Sequence, residues 1–339
     1  MRKWMVVALC AGLWATPVLA DVSKSPGTAH NKLEKTEALS WPLPWKAGTT
    51  LTYDETYEST KRKGERVERI SGATTTQISV VKADEQGFLQ RWRWSAGGYR
   101  FDNIDPAQQA ILNGLAGALK GVPLDVRLDR DGAFESIANI EQFQPVIREH
   151  LEKALKAGVT EAAAKANANP QKLAEANARL APMLEMLSGK EFVSGLLSKS
   201  PQAYNFMGAG GLVLDEEVEY EDLGQNPFGG EPIPMLGKIK VSRKVDAPGF
   251  VEAHWTVTLH PTKSVPIFTE AVKKLLGSVA PEQSDAVSKA MPKSIDISTE
   301  VTFLIDTATG IVHRMARAER KNIGDKQETE STTLTLRKQ

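Results

Sequence analysis

The chain reads as an α+β protein, with a strongly curved antiparallel sheet (a half-barrel) and helical insertions packed on its concave face. Three observations predict this. Apolar and polar residues alternate with period two in long runs on both sides of the middle of the chain. An Ala-rich stretch at about 139–200, punctuated by Pro145, Pro170 and Pro182, interrupts those runs with helical character. Turns containing Asp and Gly join successive strands. The helices are assigned to the concave face because a soluble protein cannot leave both faces of a sheet apolar.

In chain order, Arg2 and Lys3 precede an apolar run from Trp4 to Trp14, and Val18-Leu19-Ala20 closes the segment. That layout is a secretory signal peptide over 1–20, cleaved after Ala20. The run is too short for a permanent membrane helix, which needs about 20 residues. Leu9 is too bulky before Cys10 for a lipidation site. Residues 21–40 are polar and aperiodic and read as a disordered tether. A single α+β domain then runs from 41 to 339, entered through Trp41-Pro-Leu-Pro-Trp45.

Leu51, Tyr53 and Tyr57 fall on one strand face, with Thr52, Asp54 and Glu58 on the other. Residues 65–82 alternate more weakly, and Phe88, Trp92 and Trp94 then share a face. Asp105-Pro106 begins a helix to about 120. The strand Leu124-Val126-Leu128 turns at Asp129-Arg-Asp-Gly132, and the helical insertion at about 139–200 follows. Strand patterning resumes with Leu212, Leu214, Val218 and Tyr220 opposite Asp215, Glu217, Glu219 and Glu221. Ile239, Val241 and Val245 oppose Lys238, Lys240 and Lys244, which predicts an antiparallel pair with the acidic and lysine rows face to face. Ala253, Trp255, Val257 and Leu259 make the next strand. Helices at about 263–291 precede Ile295–Ile305, the turn Asp306–Gly310 and two last strands. The stretches 126–139 and 303–322 share a strand–Asp/Gly turn–strand layout, which admits an internal duplication.

This layout, long strands around helical insertions behind a signal peptide, resembles the half-barrel envelope proteins of the LolA and LppX type, and secreted bacterial proteins with similar hairpins. The resemblance implies a curved open sheet facing helices, with a concave space able to hold an acyl chain. It transfers no residue role.

Composition narrows the function classes. Cleavage would remove 20 of 339 residues and leave 319, with 40 basic and 42 acidic residues, a net charge of −2. Near-neutrality argues against nucleic acid and strongly anionic surfaces. The single cysteine lies in the leader, which rules out a disulfide or thiolate chemistry in the mature chain. Nothing after the leader is long and apolar enough to span a membrane as a helix.

Candidate chemistry is sparse. DEEVEYED at 215–222 reads as a solvated charge ladder rather than a cation site. Asp129–Gly132 fails the calcium-loop frame at Arg127 and Ala138. His254 and His260 lie about 20 Å apart along a strand, too far to share a metal. Gly208-Ala-Gly-Gly211 precedes a strand rather than a helix, against a dinucleotide fingerprint. No catalytic residue, metal site or cofactor is predicted. Trp92, Trp94 and Trp255 are the candidate ligand-binding residues. They are either core packing or the wall of an apolar pocket. The expected function is that of an exported periplasmic or secreted protein, non-enzymatic, binding a hydrophobic ligand or an envelope partner. The alternatives are an interaction protein with a filled core and a hydrolase without a recognisable motif.

Overall fold

The computed structural model describes residues 38–338, apart from 271–294 and the positions 96, 166, 168, 179, 209, 225 and 227–230. The expected signal peptide and residues 21–37 of the expected tether lie outside the described residues, as does 271–291 of the last helical segment.

Strands β1 (Ala38–Ser40), β2 (Thr50–Lys63), β3 (Arg66–Asp84), β4 (Gly87–Trp94) and β5 (Gly98–Asp102) lead into helix α1 (Pro106–Leu119). The short hairpin β6 (Leu124–Leu128) and β7 (Phe134–Ile137) follows. Helices α2 (Gln144–Lys165), α3 (Pro170–Ala178), α4 (Leu180–Leu187) and α5 (Lys190–Tyr204) form the helical insertion. Then come β8 (Gly210–Val213), β9 (Glu217–Gly224), β10 (Ile233–Arg243) and β11 (Phe250–Leu259), a helical stretch at 264–270, and β12 (Ile295–Asp306), β13 (Val312–Ile323) and β14 (Lys326–Leu336).

The architecture is α+β and dominated by one antiparallel sheet. Twelve strands pair in the order β7-β6-β4-β3-β2-β14-β13-β12-β11-β10-β9, with β5 beside β3. Its end strands β7 and β9 are not paired with each other, so the sheet does not close into a barrel. Ala38–Ser40, at the end of the segment read as tether, instead form a strand paired with β8. None of the described helices is long and apolar enough to cross a membrane.

Alternation fixes which face is covered. On β11 the side chains of Val251, Ala253, Trp255, Val257 and Leu259 are buried, while His254 points to the other, open face. The same phase buries Ile297, Val301, Phe303 and Ile305 on β12, and Ile233, Met235, Ile239 and Val241 on β10. This is the half-buried pattern of an antiparallel sheet. Helices α2, α4 and α5 add a smaller apolar cluster of their own around Val159, Leu180, Leu187 and Phe192. The end of α5 joins the sheet core through Ala203 and Tyr204.

The predicted charge ladder forms. β9 and β10 are antiparallel, with Lys238 opposite Glu219 and Lys240 opposite Glu217. Lys238 bonds both glutamates, whereas Lys244 turns to Asp246 and Glu252. One detail differs from the sequence expectation. Residues 212–221 are not one strand, because Asp215 takes φ 61° and separates β8 from β9.

The entry segment packs against both Asp/Gly turns. A Cβ on Gly132 would meet Leu43 at 2.7 Å, and one on Gly310 would meet the Pro42 carbonyl oxygen at 1.8 Å. Trp41 and Trp45 are buried in the core on either side.

Candidate functional site

Two groups of side chains occupy the covered face. The first is aromatic. Trp92 is fully buried, and its ring meets Tyr204 edge-on at 5.5 Å and Trp94 at 6.3 Å. Tyr204 also meets Tyr53 edge-on at 5.5 Å and Trp45 at 5.9 Å. The Tyr53 hydroxyl donates to the Val312 carbonyl at 2.8 Å, so its partner Tyr204, 2.6 Å away, is the donor between the two phenols. Burial raises the pKa of both. The Trp92 indole N–H donates to Gln90, which exchanges two hydrogen bonds with Asn205. The polar tips in this cluster therefore have partners, as buried polar groups need.

Trp255 lies in an adjoining cluster. Its ring stacks on Phe206 with centroids 3.7 Å apart and an 11° tilt. Its N–H donates to the Tyr220 hydroxyl at 2.6 Å. Tyr220 reaches that position because Gly237, opposite it on β10, has no side chain: a Cβ there would lie 2.1 Å from the Tyr220 ring. Trp92 and Trp94 thus come together, while Trp255 stacks on Phe206, two residues beyond Tyr204, within the same buried core. Trp92 is covered by Tyr204 and Trp255 by Phe206. Trp94 is half-buried and donates to the carboxyl of Glu55, which also accepts from Thr76. Burial pushes that carboxyl above its ordinary range despite both donors.

The second group is charged, and it is absent from the sequence-based expectations. Arg317, Glu319 and Lys321 alternate on β13 in phase with the buried Met315, and Glu330 and Thr332 on β14 in phase with the buried Leu334. Arg317 and Glu319 are each 1% exposed. Arg317 pairs with Glu319 and, at 3.4 Å, with Glu330. Lys321 reaches Glu319 at 2.8 Å, and Lys199 reaches down from α5 to Glu330 at 3.3 Å.

Burial alone would raise the Glu319 carboxyl, but Lys199, Arg317 and Lys321 together hold it well below the carboxylate range. Glu330 is held low in the same way. Burial lowers the Lys199 ammonium against the pull of Glu330 and Glu319. Lys321 goes the other way, because Glu319 and Glu328 outweigh its burial. Arg317 Nε is buried with no hydrogen-bond partner.

The strand register sets these groups in one row. Arg317 lies opposite Val301 on one side, and Val301 opposite Trp255 and then Ile239. On the other side Arg317 lies opposite Thr332, then Tyr57 and Gly72. The covered face is therefore apolar over β10–β12 and charged over β13–β14. An open hollow of about 350 Å³ lies where β2, β3 and β5 meet, lined in part by Tyr57, Gly72 and Tyr99.

Sequence reading missed the charged group because alternating charge on a strand reads as a solvent face. The usable signal was the phase of Met315 and Leu334, which places Arg317, Glu319 and Glu330 on the apolar side.

No family model and no curated protein sequence matches the chain. Among solved structures, one described as lipid–protein interactions in lipovitellin superposes with a TM-score of 0.42 at 10% identity. The match covers 87% of this chain and 25% of lipovitellin, so the chain spans about a quarter of that neighbour. A likeness of that degree carries no argument about this protein.

Proposed function

We propose that the chain is an exported, non-enzymatic protein of the bacterial envelope that holds a hydrophobic ligand against the covered face of a half-barrel sheet. The single observation that carries this reading is the row Ile239–Trp255–Val301–Arg317. It joins a broad apolar surface to buried charge on one face of the sheet, with Phe206 stacked on Trp255 and Lys199 of α5 paired with Glu330. Helix and loop cover can move aside without breaking the strand ladder, which is how such a face would admit a ligand. The leader at 1–20 supports the location, with the mature protein starting at Asp21 in the periplasm or medium.

The competing reading, an interaction protein with a filled core, is favoured by the close stacking of Phe206 on Trp255. An environment-sensitive fatty-acid probe separates the two. The ligand reading expects micromolar binding with quenching of tryptophan fluorescence. Ala253→Trp, in the fully buried row beside Trp255, should weaken the probe while the protein stays folded. No probe binding, together with a loss of about 1–3 kcal/mol from overpacking in that variant, would establish the filled core instead.

A further inference from the structure

We infer that the ligand is an anionic amphiphile whose oxyanion head is bound by the Nε–H of Arg317, with its tail along Val301 and Trp255. This rests on the ligand-binding reading above and specifies the class of ligand.

Arg317 is 1% exposed, and two of its three nitrogens are engaged by Glu319 and Glu330. Its Nε–H, buried without a partner, is therefore an open donor. A guanidinium offers its donors in a rigid planar fork suited to carboxylate or phosphate oxygens. A buried donor left unmade is costly, and a half-satisfied buried network is worse than apolar packing. An interior that served only to pack would be at least as stable with apolar side chains at these positions. What the charge supplies is recognition.

The position along the row decides the rest of the ligand. The next strand over from Arg317 carries Val301 and the one beyond it Trp255, so apolar side chains begin one strand spacing, about 4.8 Å, from the Arg317 backbone. A free inorganic anion would leave that surface unused, and a neutral lipid would leave the donor unmade. Lys199 and Lys321 take no part in the head-group site, because Glu330 and Glu319 already engage their ammonium groups.

The test uses the full mature chain and ligands of equal length, dodecanoate and dodecan-1-ol, with acetate as a tail-less control. Dodecanoate should bind at least about tenfold more tightly than the alcohol. Acetate should not compete at comparable concentration. Arg317→Lys keeps the charge and removes the Nε–H, and should bring the acid and the alcohol to similar affinity. In the unmodified protein, dodecanoate but not dodecanol should shift the buried Arg317 Nε–H proton resonance downfield, a readout that does not depend on the variant folding.

Equal affinities for acid and alcohol would overturn the head-group assignment and leave ligand binding standing. Failure of both to bind would overturn ligand binding itself. Competition by acetate as effective as by dodecanoate would reduce the site to one for a free anion. Undiminished preference for the acid in folded Arg317→Lys, or an unmoved Nε–H resonance, would remove Arg317 from the site.

Discussion

At Gly310 the backbone has φ 70°, and an added Cβ would overlap the Pro42 carbonyl at 1.8 Å. Both effects oppose any side chain, so Gly310→Ala should cost about 1–3 kcal/mol or more in a chemical melt. An unchanged midpoint would mean that the entry segment does not sit on this turn. Glu55 carries a different kind of strain. Its carboxyl is raised in the fold above an unfolded value of about 4.3, so the folded state holds the proton more tightly. Its contribution is fully present below that value and is lost as pH rises through the folded pKa. Glu319 and Glu330 have the opposite sign: their contribution is present above the unfolded value and is lost as pH falls through their lowered pKa values. Glu55→Gln removes only the first effect. The variant should therefore gain in melting temperature relative to the parent as pH goes from about 5 to about 8. A constant difference across that range would show that Glu55 does not titrate between the folded and unfolded states.

Helix α5 is fastened to the sheet by two devices, the Tyr53–Tyr204 phenol pair and the Lys199–Glu330 ion pair. Because Tyr204 donates to Tyr53 and Tyr53 to Val312, the two tyrosines are not equivalent. Tyr204→Phe removes one hydrogen bond, about 0.5–1.5 kcal/mol. Tyr53→Phe leaves the Tyr204 hydroxyl buried without an acceptor and should cost more, about 1–3 kcal/mol. Denaturant unfolding of both variants measures this order, and the reverse order would overturn the assigned direction of donation. At the same scale the sequence was unevenly legible. The β9–β10 pairing could be read because opposite charges at period two specify a register. The break at Asp215 could not, because a non-glycine residue in left-handed backbone leaves no periodic trace. The charged row of β13 was hidden for a related reason. Arg317, Glu319 and Lys321 alternate with Ala316, Ala318 and Arg320, and polarity alone does not say which set faces the core.

For the molecule as a whole, the α+β class and the antiparallel sheet with inserted helices were legible from alternation, Asp/Gly turns and the Ala-rich stretch. The site was legible only in part. Trp92, Trp94 and Trp255 could be placed on the apolar face, but whether a ring on that face meets protein or ligand depends on contacts far apart in sequence, such as Tyr204 on Trp92 and Phe206 on Trp255. On the function proposed above, this face holds an apolar ligand in an exported protein. Native mass spectrometry of the protein purified from the envelope of its own cells tests both halves together. The expected result is a polypeptide mass starting at Asp21, accompanied by a second species heavier by one lipid-sized acid that is lost on collisional activation. A mass that retains Met1, or a single ligand-free species under gentle conditions that also fails to take up added fatty acid, would contradict it.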